Sequence, residues 1–159
     1  MFLSTTTNNR DAKGRVSVPA DFRAVIAAQS KGMEAAFDGV FVWPSFNGPF
    51  LEGGGEMFMK SLEASIDSFD FYDDARSAFE YRIFAASRRL AFDSGGRVSL
   101  PNDLAEHASL NGRITFVGLG RRFEIWNPER YEAHLDTMGQ VAFDNRHRLK
   151  PAVPNGDVS

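Results

Sequence analysis

Asp11-Ala12-Lys13-Gly14-Arg15-Val16-Ser17-Val18-Pro19-Ala20-Asp21 recurs as Asp93-Ser94-Gly95-Gly96-Arg97-Val98-Ser99-Leu100-Pro101-Asn102-Asp103, displaced by 82 residues and identical at seven of eleven positions. Self-similarity of this length marks an internal duplication, the signature of a structure assembled from repeated units. Within each copy, Arg-Val-Ser-Val/Leu alternates polar and apolar residues, the two-residue period of a strand with one buried face. Asp-x-x-Gly-Arg therefore reads as a turn between that strand and the extended runs upstream, Phe2 to Asn8 and Ser87 to Phe92. Gly14 and Gly96 supply a positive φ in the turn, and Asp11 and Asp93 accept hydrogen bonds from its backbone N–H groups.

The segments downstream of the two copies also match in kind. Phe22, Val25, Ile26 and Gln29 fall at helical spacing before Lys31-Gly32, and Leu104 and Ala108 do so before Asn111-Gly112. Each short helix is followed by two extended runs around a turn. These are Ala35 to Asp38 and Val40 to Trp43 about Gly39, and Arg113 to Val117 and Arg121 to Trp126 about Gly118-Leu119-Gly120. A unit of strand, strand, helix and hairpin is too small to bury a good core alone. The two copies are expected to pack into one α+β body related by a pseudo-two-fold.

Between the copies, Gly53-Gly54-Gly55 reads as a flexible break. Phe58, Leu62 and Ile66, then Ala75, Phe79, Ile83 and Ala86, mark two amphipathic helices. Asp73-Asp74 suits the start of the second, and Arg76 and Glu80 are spaced to pair. Pro128 to Met138 is a further helix capped by Asn127, and 139–159 reads as a frayed tail.

The net charge of −3 hides an uneven distribution. Residues 1–23 carry +2 and 76–123 carry +4, whereas 49–75 carry −6. The two basic blocks are those that hold the repeated motif, so two cationic zones can meet phosphate although the pI near 5.6 argues against indiscriminate coating of nucleic acid. No apolar run approaches a membrane span and no amino-terminal signal stands out, so a cytoplasmic protein is expected. With no Cys there is no disulfide, thiolate or Cys-type metal site.

The sharpest candidate chemistry is a hairpin presenting Arg10, Lys13 and Arg15 beside Asn8 and Asn9, with guanidinium groups suited to phosphate or to guanine O6/N7. The alternative is that Arg15 pairs with Asp11 and only stabilises the turn. The second loop, with Arg97, lacks a counterpart of Lys13, which Gly95 replaces. Enzyme readings find little support. His107, His134 and His147 lack metal or general-base spacing, and Glu52 and Glu56 flank the glycine run where a phosphate cradle would need positive charge. Trp43, Trp126 and the 15 Phe read as core rather than as base-stacking platforms. Arg146-His147-Arg148-Leu149-Lys150 reads as a solvated basic segment or a phosphate contact.

Met1-Phe2, the two Asp-x-x-Gly-Arg-Val-Ser-Val/Leu-Pro stretches, and Phe123-Glu124-Ile125-Trp126-Asn127-Pro128-Glu129-Arg130-Tyr131 together resemble the MraZ family over residues 1 to about 138. The resemblance implies two AbrB-like β units, paired within one chain as a swapped-hairpin barrel, with intervening and C-terminal helices. The units would span 5–47 and 87–130, with a helical connector at 48–86 and the end of the last helix plus a tail at 131–159. It implies a non-enzymatic, nucleoid-associated transcriptional regulator with no cofactor. Its partners would be double-stranded DNA, at promoter direct repeats ahead of its own division and cell-wall gene cluster, and copies of itself in a closed ring, an octamer. DNA contact falls to Arg15, Lys13, Arg10, Arg97 and Asn8, and loop shaping to Asp11, Gly14, Asp93 and Gly96. An antitoxin-like protein-interaction module with secondary DNA binding is the alternative. Two positions depart from the family pattern: Leu3 replaces a usual basic residue, and Arg10 stands where an apolar one is common.

Overall fold

The computed structural model describes residues 1–34 and 36–152. The chain divides into Met1–Pro128 and Glu129–Ser159. In the first unit the elements run β1 (Thr5–Asn9), β2 (Arg15–Ser17), α1 (Ala20–Gln29), β3 (Gly39–Pro44), β4 (Leu51–Gly54), α2 (Glu56–Asp67), α3 (Asp74–Phe79), a π turn (Glu80–Phe84), β5 (Arg88–Ala91), β6 (Arg97–Ser99), α4 (Asn102–Ala108), β7 (Arg113–Gly118) and β8 (Phe123–Trp126).

Six strands form one antiparallel sheet in the order β1-β7-β8-β4-β3-β5, and β2 and β6 form a separate two-stranded ribbon. Reversing the order and exchanging the repeats returns the same list, which is the expected pseudo-two-fold. Its axis passes two places where equivalent residues face each other: Val16 opposite Val98 in the ribbon, and Glu52 opposite Glu124 between β4 and β8. The edge strand of each copy pairs with the hairpin of the other, β1 on β7 and β5 on β3. The expected closed barrel is not drawn by hydrogen bonds. The ribbon strands are three residues each and pair only with one another, leaving β1 and β5 as the two edges of an open sheet.

The ribbon is nevertheless bound to the sheet by packing. Val16, Val18, Val98 and Leu100 share one core with Val40, Leu90, Phe116 and Phe123. Phe22 of α1 is the hub, with ring centroids 5.2 Å from Phe2, 5.4 Å from Phe123 and 6.2 Å from Phe116. Each such buried side chain contributes ~1.5–3 kcal/mol by leaving water. Phe2 is held there by backbone bonds in both directions to Gly120, 2.7 and 2.8 Å.

Three sequence expectations need correction. The first-copy hairpin does not turn at Gly39: that residue lies within β3 opposite Ala91, and the turn comes at Ser45 to Phe50, where Ser45 N–H donates to the Phe50 carbonyl at 2.9 Å. Of the expected run 35–38, residue 35 lies outside the described residues. Gly53-Gly54-Gly55 is no hinge. Its three residues are buried, Gly53 and Gly54 end β4, and a Cβ on Gly53 would stand 2.6 Å from the Phe123 ring. Close packing, which needs the missing side chain as much as flexibility does, is the reason for glycine there. The last helix, α5 (Pro128–Asp144), passes Met138 and is followed by a 3₁₀ turn at Arg146–Arg148. Residues 153–159 of the expected tail lie outside the described residues.

The middle helices form as their spacing indicates. Ile66 and Ile83 are buried with Trp43 in a second apolar cluster, joined by Phe58, Leu62 and Phe79. Asp73 caps α3 by accepting from Ala75 N–H at 2.8 Å. Arg76 pairs chiefly with Asp67 at 2.7 Å, and more loosely with Glu80 at 3.8 Å. No helix of the described residues is long and apolar enough to cross a membrane.

Candidate nucleic-acid interface

The two repeated loops are the same device built twice. In the first, Asp11 N–H donates to the Arg15 carbonyl at 2.8 Å and Gly14 N–H to the Asp11 carbonyl at 3.0 Å. Asp11 Oδ1 accepts from the N–H groups of Lys13 and Arg15, at 3.0 and 2.8 Å, and Oδ2 from Arg15 Nε at 2.8 Å. In the second, Asp93 N–H meets the Arg97 carbonyl at 2.9 Å and Gly96 N–H the Asp93 carbonyl at 3.0 Å. Asp93 Oδ1 accepts from Gly95 and Arg97 N–H, both at 2.9 Å, and Oδ2 from Arg97 Nε at 3.0 Å. Gly14 and Gly96 close the turns with φ of +80° and +76°, a region costly for residues with a Cβ.

The electrostatics follow from those bonds. The Arg15 main-chain N–H is the largest cause holding Asp11 below its ordinary 3.8, with the Arg15 side chain and Lys13 N–H adding to it. Asp93 is lowered likewise, first by the Arg97 main-chain N–H and then by that of Gly95 and the Arg97 guanidinium. Each carboxylate accepts three hydrogen bonds, which favour its ionised form.

Each arginine is thus fixed by its inner nitrogen. Nε faces the aspartate, while the two terminal nitrogens of Arg15 meet no acceptor among the described residues; the side chains of Arg15 and Arg97 are 29% and 38% exposed. A guanidinium held in this way keeps its outer edge for a bidentate acceptor. The β2–β6 ladder sets the two loops side by side, with Arg15 opposite Ser99 and Ser17 opposite Arg97, so that Arg97 Nη1 lies 3.9 Å from Asp11 Oδ2.

The other residues singled out in sequence divide between outward and inward roles. Lys13 is exposed and forms no ion pair among the described residues. Asn8 donates its amide to the Ser17 carbonyl at 2.8 Å, tying β1 to the ribbon. Arg10 turns back across the two-fold: Nη2 donates to the Leu100 carbonyl at 2.9 Å and to Asn102 Oδ1 at 3.1 Å, and Nε reaches the Gly14 carbonyl at 3.4 Å. This half-buried cation is accommodated because main-chain and amide oxygens meet it.

One further cation joins this face through the tertiary structure. Arg23 of α1 donates from Nε to the Val18 carbonyl at 3.2 Å, and its guanidinium lies directly against Gly96 of the second loop. Helical side chains lean toward the helix amino terminus, which is the one local signal that Arg23 reaches back toward the repeated motif. Its placement beside the other copy's loop comes from strand exchange.

The histidines do not gather: His107 Nε2 meets the Gly48 carbonyl at 3.1 Å, and no group of three metal-ligating side chains forms among the described residues.

Residues 83–149 match the family model described as "MraZ protein, putative antitoxin-like". The chain is 39% identical over 152 residues to the transcriptional regulator MraZ of Rickettsia canadensis, covering 96% of this chain and 98% of that one. It is 41% identical over 154 residues to the protein of the same name from Xanthobacter autotrophicus, covering 97% and 94%. A third such relative, from Rickettsia bellii, is 39% identical over 151 residues, covering 94% and 97%.

Proposed function

The chain belongs to the MraZ family, and from that premise we propose that it is a sequence-specific DNA-binding transcriptional regulator whose paired Asp-x-x-Gly-Arg loops grip the duplex. The observation that carries the reading is the bonding of Arg15 and Arg97: each aspartate takes the arginine's Nε and two backbone N–H groups, which leaves both terminal nitrogens of Arg15 for the ligand and, in Arg97, Nη2, with Nη1 3.9 Å from Asp11. Pairing with Asp11 and contact with DNA are therefore not competing roles. The carboxylate orients the fork, as a pre-set guanidinium suits guanine O6/N7 or a phosphate. Lys13 adds a cation at the tip of the first loop. Arg10 and Asn8, expected among the contacts, act chiefly as internal braces of the loop and ribbon.

One such face with a few cations binds weakly. A closed homo-oligomeric ring, an octamer on the family pattern, carries several of them on one rim. Short direct repeats upstream of the chain's own division and cell-wall gene cluster are then met by many loops at once, and the second contact is favoured by effective concentration, by ~10²-fold or more. The site carries out no chemistry, and the place of action is the cytoplasmic nucleoid.

The test is a gel-shift titration of the purified chain on the duplex upstream of its own gene, beside footprinting and light scattering. Arg15→Ala is expected to keep particle size and lose about 5- to 150-fold in affinity, since a bidentate pair contributes ~1–3 kcal/mol of discrimination. Arg15→Lys keeps the charge but not the fork, and is expected to bind without selecting the upstream sequence. Unchanged affinity in Arg15→Ala overturns the reading. The antitoxin-like alternative is favoured by the description of the matched family model and by the exposed Leu135, Met138, Val141 and Phe143 on α5. Under it, the chain binds the upstream duplex no better than an unrelated one.

A further inference from the structure

We propose that Arg23 is a DNA-phosphate contact of the second loop, a cation lent by the first repeat to replace the one that Gly95 lacks. This rests on the DNA-binding reading above. Copy for copy, the second loop is the poorer one: where the first has Lys13 the second has Gly95. The residue equivalent to Arg23 in the second repeat is the buried Ala105, so no cation returns the favour at the first loop from that position. The first loop is instead backed by Arg10, whose terminal nitrogen is spent on Leu100 and Asn102.

Arg23 is differently placed. Only Nε is bonded, to the Val18 carbonyl, and its terminal nitrogens have no acceptor among the described residues. A Cβ on Gly96 would stand 2.5–2.7 Å from Cζ, Nε and Nη1 of Arg23, so the guanidinium abuts the backbone that carries Arg97. The contact is held by the strand arrangement, since Val18 N–H donates to the Gly96 carbonyl at 3.1 Å. Arg23 and the second loop line a common open groove, with Phe92, Ser94 and Asp38 on its walls. Of the two acids there, Asp93 already accepts three hydrogen bonds from its own loop, and Asp38 is exposed and forms no ion pair with Arg23. Arg23, with both terminal nitrogens unbonded among the described residues, therefore adds a cation of the first repeat to the wall of this groove, against the loop that carries Arg97. A phosphodiester backbone, which offers an anionic oxygen at every step, suits a guanidinium left unpaired beside a cationic loop, and backbone contacts set register without reading bases.

The test is the salt dependence of binding to the same upstream duplex. Arg23→Gln is expected to lower the slope of log K against log salt by about 0.9 for each subunit whose second loop touches DNA, and to weaken binding about tenfold, at unchanged particle size and with a melting temperature lowered by no more than roughly 2–4 °C for the lost bond to the Val18 carbonyl. Adding Gly95→Lys to that variant is expected to restore the slope. A side chain fits there, because a Cβ on Gly95 meets its nearest atoms at 3.4–3.9 Å, ordinary contact. Asp38→Asn, at an exposed position, is expected to tighten binding a few-fold by removing an acid from the path of the phosphate, and it decides the matter should Arg23→Gln unfold. An unchanged slope in Arg23→Gln overturns the proposal, as does indifference to Asp38→Asn where that variant must decide. Failure of the parent chain to bind the duplex overturns the DNA-binding reading instead.

Discussion

Replacing the two positive-φ glycines by alanine, one at a time, separates local backbone strain from what the tertiary structure adds. Both positions require a left-handed backbone, φ +80° at Gly14 and +76° at Gly96, and a Cβ there costs ~1–2 kcal/mol. The neighbours differ. At Gly14 the new Cβ comes 3.1 Å from Arg10 Nη2, so a shift of a few tenths of an ångström in a long side chain suffices. At Gly96 it falls 2.5–2.7 Å from three atoms of the Arg23 guanidinium, which must leave and give up its bond to the Val18 carbonyl, a further ~1 kcal/mol. Gly96→Ala is thus expected to cost ~2–3 kcal/mol and Gly14→Ala ~1–2 kcal/mol. In a chain of 159 residues the extra ~1 kcal/mol corresponds to a melting temperature lower by roughly 2–4 °C. The assay is thermal unfolding followed by circular dichroism, with all proteins at one concentration, because self-association makes the midpoint concentration-dependent. Equal midpoints for the two variants, or a lower one for Gly14→Ala, refute the claim that Arg23 is seated on the second loop.

Two further outcomes arise from the loops and the sheet axis. The folded pKa of Asp11 and of Asp93 lies below the ordinary carboxylate value, so their stabilisation of the loops is complete above about pH 3.8 and is lost as pH falls through the folded values; melting of Asp11→Asn beside the parent from neutral pH downward is expected to show a gap that closes only in that acid range. A gap that instead varies between pH 5 and 8 contradicts the assignment. At the pseudo-two-fold, Arg122 Nη1 serves Glu124 at 2.7 Å and Glu52 at 3.4 Å, and Glu124 also accepts from Trp126 Nε1 at 2.8 Å. The glutamate side chains are only 10% and 14% exposed, so Arg122→Ala leaves two facing carboxylates without a counter-ion. Because Arg122 itself is about a third exposed, the expected cost is ~2–3 kcal/mol rather than the full value for a buried pair, and Glu52→Gln in the same chain is expected to recover part of it. Denaturant unfolding measures both, and a loss under ~0.5 kcal/mol would show the network to be dispensable.

What the amino-acid sequence determined by itself is what depends on near neighbours along the chain. The duplication, the turn in Asp-x-x-Gly-Arg, the positive φ at Gly14 and Gly96, the helices at Phe22–Ile26 and Phe58–Ile66, and the capping aspartate at position 73 all arise from residues within a few positions of one another, where spacing and side-chain type act directly. Glycine is less legible, because the same residue serves a turn, a hinge or a tight contact: Gly53 is there for Phe123, seventy residues away in the chain, and nothing near it says so. Only the tertiary structure decided which strand pairs with which. Exchange of β1 and β5 between the repeats is a choice among partners of similar local pattern, made by burial of Phe2, Phe22, Phe116 and Phe123 in one core. That choice turned Arg10 inward to oxygens of the other repeat and carried Arg23 to a loop that its own repeat does not contain. Long-range pairing is set by the summed packing of the whole core, and that sum is not written at any one position of the chain.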